Sequence, residues 1–289
     1  MFQHECPKLI SPACILSIDP LNRRSLAALL PELLDRISTS YKLAIGIAGA
    51  PGSGKSTLSQ ALVQNLNQTG TPACLLSLDD YYLGSAQREV LSKEVHPLFR
   101  QRGVPGTHEI NRLLADFDRI RSGKIEGLRL PIFDKSIDDR VAEHEWRSLE
   151  TAPRIVILEG WCVGVPPQKQ IELDLPANEM ERYQDARGAW RLEVWKAWKR
   201  LYNALHGRLD QVWYIRVPDW DCVIDWRWQQ EQELAQMNLK SRAKVVNFLG
   251  CFERIVNHMQ SSYPQWADLV MEADRNHHIS LSQQSRKAT

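Results

Sequence analysis

The chain has 289 residues, of which 43% are hydrophobic and 25% charged, and its net charge is +1. That is enough chain for a sizeable core, and the charge balance excludes the global basic field that gathers nucleic acid. Six cysteines, at 6, 14, 74, 162, 222 and 251, form no CxxC pair and no zinc spacing, so reduced thiols are expected. No apolar run approaches the roughly 18 residues of a membrane span. The opening MFQHECPKLISPACILSIDP lacks the cationic start and apolar stretch of a signal peptide. Both observations point to the cytoplasm.

Residues 1–20 read as an irregular arm, and SLAALLPELLDRIS (25–38) repeats leucine at helical spacing. LAIGIAG (43–49) is a short buried strand. The helix after it begins at Lys55 and carries Leu58, Ala61, Leu62 and Leu66 on one stripe. PACLLSL (72–78) is a second strand, ending at Asp79 and Asp80. Residues 84–110 are polar and rich in turn formers, so loops are expected there. A helix follows over 110–123, then another loop over 130–140. RIVILEG (154–160) is a third strand, and 164–186 reads as an excursion. ARGAWRLEVWKAWKRLYNALHG (186–207) is a long helix with Trp190, Val194, Trp198 and Leu201 on one side. That spacing favours core packing over the stacking of nucleic-acid bases on these rings. QVWYIRV (211–217) is a fourth strand, helices follow over 221–236 and 241–260, and ADLVMEA (267–273) is a fifth strand. The tail after Arg275 reads as polar and frayed, and His277-His278 suggests no metal site. Short apolar strands alternating with helices predict a mostly parallel sheet covered on both faces.

The sharpest motif is GAPGSGKS: Gly49, Ala50, Pro51, Gly52, Ser53, Gly54, Lys55 and Ser56. It matches G-x-x-x-x-G-K-[ST] and has the strand before and the helix after that a phosphate-binding P-loop requires. Glycines let backbone N–H groups curl round a phosphate, and the helix adds its positive N-terminal end. Lys55 would place its charge on the β and γ phosphates, the Ser56 hydroxyl would ligate Mg²⁺, and Thr57 would touch the α-phosphate. With this motif the expected fold is a P-loop NTPase-type three-layer α/β/α sandwich with about five strands. No N/T-K-x-D guanine signature follows a strand.

Two acids end strands. In a doubly wound sheet the carboxyl ends of the strands line the ligand crevice. Asp79 could therefore accept a proton from an attacking substrate hydroxyl, or cap the next element as Asp80 could. Glu159 could hold the magnesium shell through water, and Gly160 would let the chain turn beside the phosphates.

The motifs DDYY (79–82), QRGVPGTHE (101–109), PIFDKS (131–136), EGW (159–161) and DWRWQQE (225–231), in this order, resemble those of P-loop small-metabolite kinases related to uridine kinase, phosphoribulokinase and bacterial pantothenate kinase. Within that group the chain is most similar to the D-glycerate 3-kinase branch, over about residues 43–273. The resemblance implies ATP and Mg²⁺ as cofactors and transfer to a primary hydroxyl, yielding 3-phosphoglycerate. It implies that Asp79 is the catalytic base and Glu159 the Walker-B-like acid. It also implies a lid over about 225–245, with Arg227 on the helix leading in and Lys240 and Arg242 at the far side. One kinase domain is expected over 41–275, with a substrate-loop insertion at about 84–140, preceded by the arm and first helix (1–40) and followed by a polar tail (276–289).

Glycerate is small and anionic, so its pocket needs a cation for the carboxylate and partners for two hydroxyls. The candidates are Tyr82, Arg102, His108, Lys135 and Arg140; Lys135 could equally sit near the transferring phosphate. A small-molecule substrate and ATP are the expected partners, without nucleic acid or membrane. The alternatives are a kinase for uridine, pantothenate or a sugar phosphate, or a regulatory protein that uses ATP as a switch.

Overall fold

The computed structural model describes residues 20–38, 42–233 and 241–282. The elements run in chain order as α1 (Pro20–Ser38), β1 (Leu43–Gly49), α2 (Lys55–Gln68), β2 (Ala73–Ser77), α3 (Ser85–Glu94), α4 (Ile110–Arg121), β3 (Arg129–Leu130), β4 (Phe133–Asp134), β5 (Asp139–Arg140), β6 (Arg147–Ser148) and β7 (Ile155–Glu159). They continue with α5 (Glu179–Gln184), α6 (Ala189–Leu205), β8 (Gln211–Arg216), α7 (Trp220–Glu233), α8 (Arg242–Ser262), β9 (Leu269–Ala273) and β10 (Ile279–Leu281).

Six strands form the main sheet in the order β10-β9-β8-β1-β7-β2, with helices on both sides. Every pairing is parallel except β9 with β10. All seven residues of β1 and all five of β7 are buried, as central strands covered on both faces require. The edge strand β2 instead alternates buried and half-buried positions. β1 lies between β7 and β8, and the chain leaves it for the far edge at β2 before returning to β7. This connectivity sets the carboxyl ends of β1, β7 and β2 side by side, and their register pairs Ile47 and Ser77 with Glu159.

On α6, Trp190, Val194, Trp198, Leu201 and Leu205 are buried, so the tryptophan stripe is core. The Trp198 indole donates to the Val165 carbonyl at 2.9 Å, which satisfies its polar edge. Cys74, Cys162, Cys222 and Cys251 are free and buried; the other two cysteines lie outside the described residues.

Three sequence expectations need correction. The stretch 84–110 is not all loop, because α3 occupies its first part. Its one buried residue is Arg88, so it carries no apolar stripe to read. Arg88 donates to the carbonyls of Leu83 at 3.0 Å, Arg100 at 3.1 Å and Asp138 at 2.7 Å, and so gathers three segments round a buried guanidinium. The loop at 130–140 contains an antiparallel hairpin, with Phe133 facing Arg140 and Asp134 facing Asp139. The tail does not fray from residue 276, because β10 adds a sixth strand antiparallel to β9. The Asp274–His278 turn that allows this is closed by the His278 amide donating to the Asp274 carboxylate at 2.9 Å. The arm before Pro20, Lys240 and the tail beyond Ser282 lie outside the described residues.

Candidate active site

The P-loop follows β1 directly. Gly52 and Gly54 have φ of 80° and 86°, in the left-handed region that favours glycine. A Cβ on Gly49 would stand 2.6 Å from Ser53 Oγ and 3.2 Å from the Ile215 carbonyl, so the strand end admits no side chain. Gly54 precedes α2 and no side chain caps that helix, which leaves its first-turn amides open. Ser53 Oγ is buried without a hydrogen-bond partner.

Beyond β2 the chain turns at once through a 3-10 turn over Leu78–Tyr81, which presents Asp79 at the sheet's carboxyl edge. Lys135 Nζ, from the turn of the β4–β5 hairpin, donates to Asp79 Oδ2 at 2.7 Å. Burial alone would raise the Asp79 carboxyl, but the Lys135 and Lys55 ammonium groups outweigh it and hold it well below the usual carboxylate range. Lys55 and Asp79 therefore face the same space. Asp80 points elsewhere and accepts from the Phe133 amide at 3.2 Å. Burial pushes the Asp80 carboxyl up to about 6 against that hydrogen bond.

Glu159 is 4% exposed at the end of β7. Its Oε1 accepts from Ser77 Oγ at 2.6 Å, while Oε2 is buried without a partner. Gly160 follows, and here the structure gives a different reason for glycine than a turn. A Cβ would lie 2.6 Å from Leu78 Cβ and 2.8 Å from Val163 Cγ2, so close packing excludes one.

Tyr82 is buried beside Asp79. Burial and the Asp79 charge push that phenol well above its ordinary range. His108 stacks on the Tyr82 ring with centroids 4.4 Å apart. It is 6% exposed, and neither ring nitrogen has a partner. Burial holds its imidazole down to about 4, against the nearby Asp79 charge. The loop bearing His108 is wedged in place. Gly103, at φ 138°, leaves room for the Phe252 ring, and the Trp161 indole donates to its carbonyl at 2.9 Å.

The remaining cations are differently committed. Arg102 pairs with Asp138 and lies over the Phe133 ring at 5.5 Å. Arg140 donates to Glu109 at 2.5 Å and to the carbonyls of Tyr82 at 2.9 Å and Tyr81 at 3.3 Å. Arg227 pairs with the buried Glu231 on α7 and lies over Phe248 at 5.6 Å. Burial lowers the Arg227 guanidinium, Glu231 opposes the shift, and the charge of nearby Arg102 adds to it. Ser56 and Thr57 are half-buried in the first turn of α2.

Three features of the site leave no mark in the sequence. Ser77 orients Glu159 across the sheet. Trp226 backs the P-loop, its Cβ lying 3.4 Å from where a Gly52 side chain would begin. His277, read as tail, packs its ring against Trp226 with centroids 4.3 Å apart and the planes tilted by 31°. No local spacing could have announced these contacts, because their partners lie in distant elements.

A protein-family model described as methylmalonyl-CoA mutase-associated GTPase MeaB matches residues 15–84, which is the P-loop and its flanks rather than the whole chain. An uncharacterized kinase, mug58, of Schizosaccharomyces pombe is 31% identical over 229 residues, covering 76% of this chain and 79% of that protein. The chloroplastic D-glycerate 3-kinase of Arabidopsis thaliana is 28% identical over 203 residues, covering 67% of this chain but 42% of the longer plant protein. Among solved structures, D-glycerate 3-kinase from Cryptococcus neoformans superposes with a TM-score of 0.68 at 21% identity, covering 92% of this chain and all of that one. A P-loop facing an acid at the end of β2, on this sheet and with these relatives, places the chain in the P-loop kinase family, whose members are ATP-dependent phosphotransferases.

Proposed function

We propose that the chain phosphorylates D-glycerate with ATP to give 3-phosphoglycerate. The observation that carries this reading is the Asp79 corner. A carboxylate faces the P-loop lysine, with an exposed ammonium at 2.7 Å, a buried tyrosine hydroxyl and an unpartnered neutral imidazole around it. Such a corner suits a short alcohol that is itself anionic and carries a second hydroxyl. The plant and fungal relatives that are D-glycerate 3-kinases support the same acceptor.

The backbone N–H groups of the P-loop residues Gly52, Ser53 and Gly54, the open first turn of α2 and Lys55 hold and polarise the phosphates of ATP. Asp79 takes the proton of the primary hydroxyl as its oxygen bonds to the γ-phosphorus. The bond from that phosphorus to its bridging oxygen breaks, and ADP leaves. Tyr82 orients Asp79. Neutral His108 has one donor and one acceptor, which matches the second hydroxyl better than a carboxylate, which only accepts. Arg102 and Arg140 fix the hairpin and loop that carry Lys135 and His108. Arg227, on α7 next to the tryptophan that backs Gly52 and paired with Glu231, adds positive charge to this side of the site; the middle of the expected lid, 234–240, lies outside the described residues.

The residues fit magnesium. Glu159 keeps one buried oxygen unpartnered beside the P-loop, and Ser56 brings a hydroxyl. Held by Ser56 and Glu159, such an ion would supply positive charge against the charge that develops on the transferring phosphate.

The test is an acceptor panel. Purified protein with ATP and magnesium should form ADP with D-glycerate, and phosphorus NMR should place the new ester on carbon 3. ADP formed with uridine or pantothenate but not with D-glycerate would overturn the substrate assignment. Strong nucleotide binding with no turnover of any acceptor would favour the regulatory reading.

A further inference from the structure

Lys135 stands apart from the other cations of the site. Its side chain is 61% exposed and that of Asp79 is 27% exposed. Among the described residues Asp79 is its one hydrogen-bond acceptor. Arg140 is tied to a carboxylate and two carbonyls, Arg102 to Asp138 and a ring, and Arg227 to a buried glutamate. Lys55 belongs to the phosphates. Lys135 alone among these candidates combines a flexible stem, access from solvent and a single partner that it can exchange.

That partner is the proposed base, which creates a chemical difficulty. A carboxylate held by two ammonium groups is a poor proton acceptor, because both cations favour its charged form. The base must lose one cation before it can take a proton from an alcohol. Lys55 will be shared with the phosphates of ATP. Lys135 needs a second anion to draw it away, and the acceptor is the molecule that arrives at that moment.

We propose that Lys135 is the receptor for the acceptor's carboxylate, and that its transfer from Asp79 to that carboxylate frees Asp79 to act as base. The enzyme then selects short hydroxy acids over neutral alcohols of the same size. In a three-carbon hydroxy acid, one carbon separates the carboxylate from the carbon bearing the primary hydroxyl. One end can meet Lys135 while the other stays within reach of Asp79. A neutral alcohol leaves the Lys135–Asp79 pair intact and meets a disabled base. This inference rests on the phosphoryl-transfer reading above and adds to it the class of acceptor and the way it is sensed.

The experiment compares D-glycerate with its neutral methyl ester, using wild type, Lys135→Met and Lys135→Arg. The wild type should prefer the acid in kcat/KM by roughly 10- to 100-fold, the range of one charged hydrogen bond. Lys135→Met should collapse that preference by losing activity on the acid and gaining it on the ester. Lys135→Arg should restore part of it. On the ester, the acidic limb of the kcat/KM profile should move to higher pH in Lys135→Met. The reason is that Asp79 without its cation takes up a proton at higher pH. An unchanged acid-to-ester ratio in Lys135→Met, or an equal loss on both compounds with an unmoved acidic limb, would overturn the inference alone. A wild type that turns over neither compound while using another acceptor would sink the substrate reading and this inference with it.

Discussion

Asp79 and His108 lie in the same corner and give opposite kinds of test. Asp79→Asn keeps the shape and removes the basicity. Its kcat should fall about 10²- to 10⁴-fold, the usual worth of a positioned base, while nucleotide affinity by titration stays near wild type. A variant with full turnover would remove Asp79 from that role. His108 is a buried ring with two unpartnered nitrogens, so the fold gains nothing from their polarity. His108→Phe keeps the ring against Tyr82 and should cost little stability, while the KM for the acceptor rises about tenfold or more. The same variant has a pH signature. Unfolded, His108 takes up a proton near 6.5; folded, burial keeps it neutral down to about 4. Its contribution to stability is full above pH 6.5 and declines as pH falls toward 4. Asp80 works the other way, because its folded carboxyl is raised to about 6 and its contribution declines as pH rises from 3.8. The difference in unfolding free energy, wild type minus His108→Phe, should therefore rise with pH between 4 and 6.5 by at most about 1.4 kcal/mol per pH unit. Denaturant melts at several pH values would show it, and a flat difference would mean the imidazole is not held neutral.

Among elements, α3 and the β4–β5 hairpin depend on each other. Arg88 is buried and holds three carbonyls, from the turn before α3, the 3-10 turn Pro97–Arg100 after it and the hairpin. It also pairs with Asp138 at 3.0 Å, and Asp138 in turn pairs with Arg102. Asp139 of the same hairpin accepts from Ser85 Oγ at 2.8 Å and so ties down the first residue of α3. Arg88→Met leaves those carbonyls without their donor, and should lower stability by about 2–4 kcal/mol in chemical denaturation. Because the hairpin carries Lys135 and the loop carries His108, acceptor KM should rise in this variant while nucleotide affinity changes little. These elements also show where sequence reading stops. α3 has no apolar stripe, since its anchor is a charged side chain, and a periodicity search looks for hydrophobic faces. β10 is three residues long in polar surroundings, and its pairing with β9 exists only once the Asp274–His278 turn has formed.

For the molecule as a whole, ligand binding should report on the P-loop through global stability. A ligand that binds only the folded state adds about 2.7 kcal/mol at 100 times its Kd. ATP with magnesium should therefore raise the melting temperature of the wild type, and Lys55→Ala should lose most of that shift. An equal shift in the variant would move the nucleotide away from the P-loop. No helix among the described residues is long and apolar enough to cross a membrane.

The sequence alone fixed the five parallel strands, the P-loop between β1 and α2, and the acids at two strand ends. These are local matters, because burial on both faces writes a continuous apolar run and a backbone phosphate cradle demands glycines at set places. Tertiary structure decided what stands beside those residues. It brought Lys135 to Asp79 from 56 positions away, Ser77 to Glu159 from 82, and His277 to a tryptophan behind the P-loop. It also tied Arg102, Arg140 and Arg227 to carboxylates and left Lys135 paired with Asp79 at a largely exposed side chain. Hydrogen bonds and ion pairs between distant elements depend on how those elements are placed, and spacing along the chain carries no record of that.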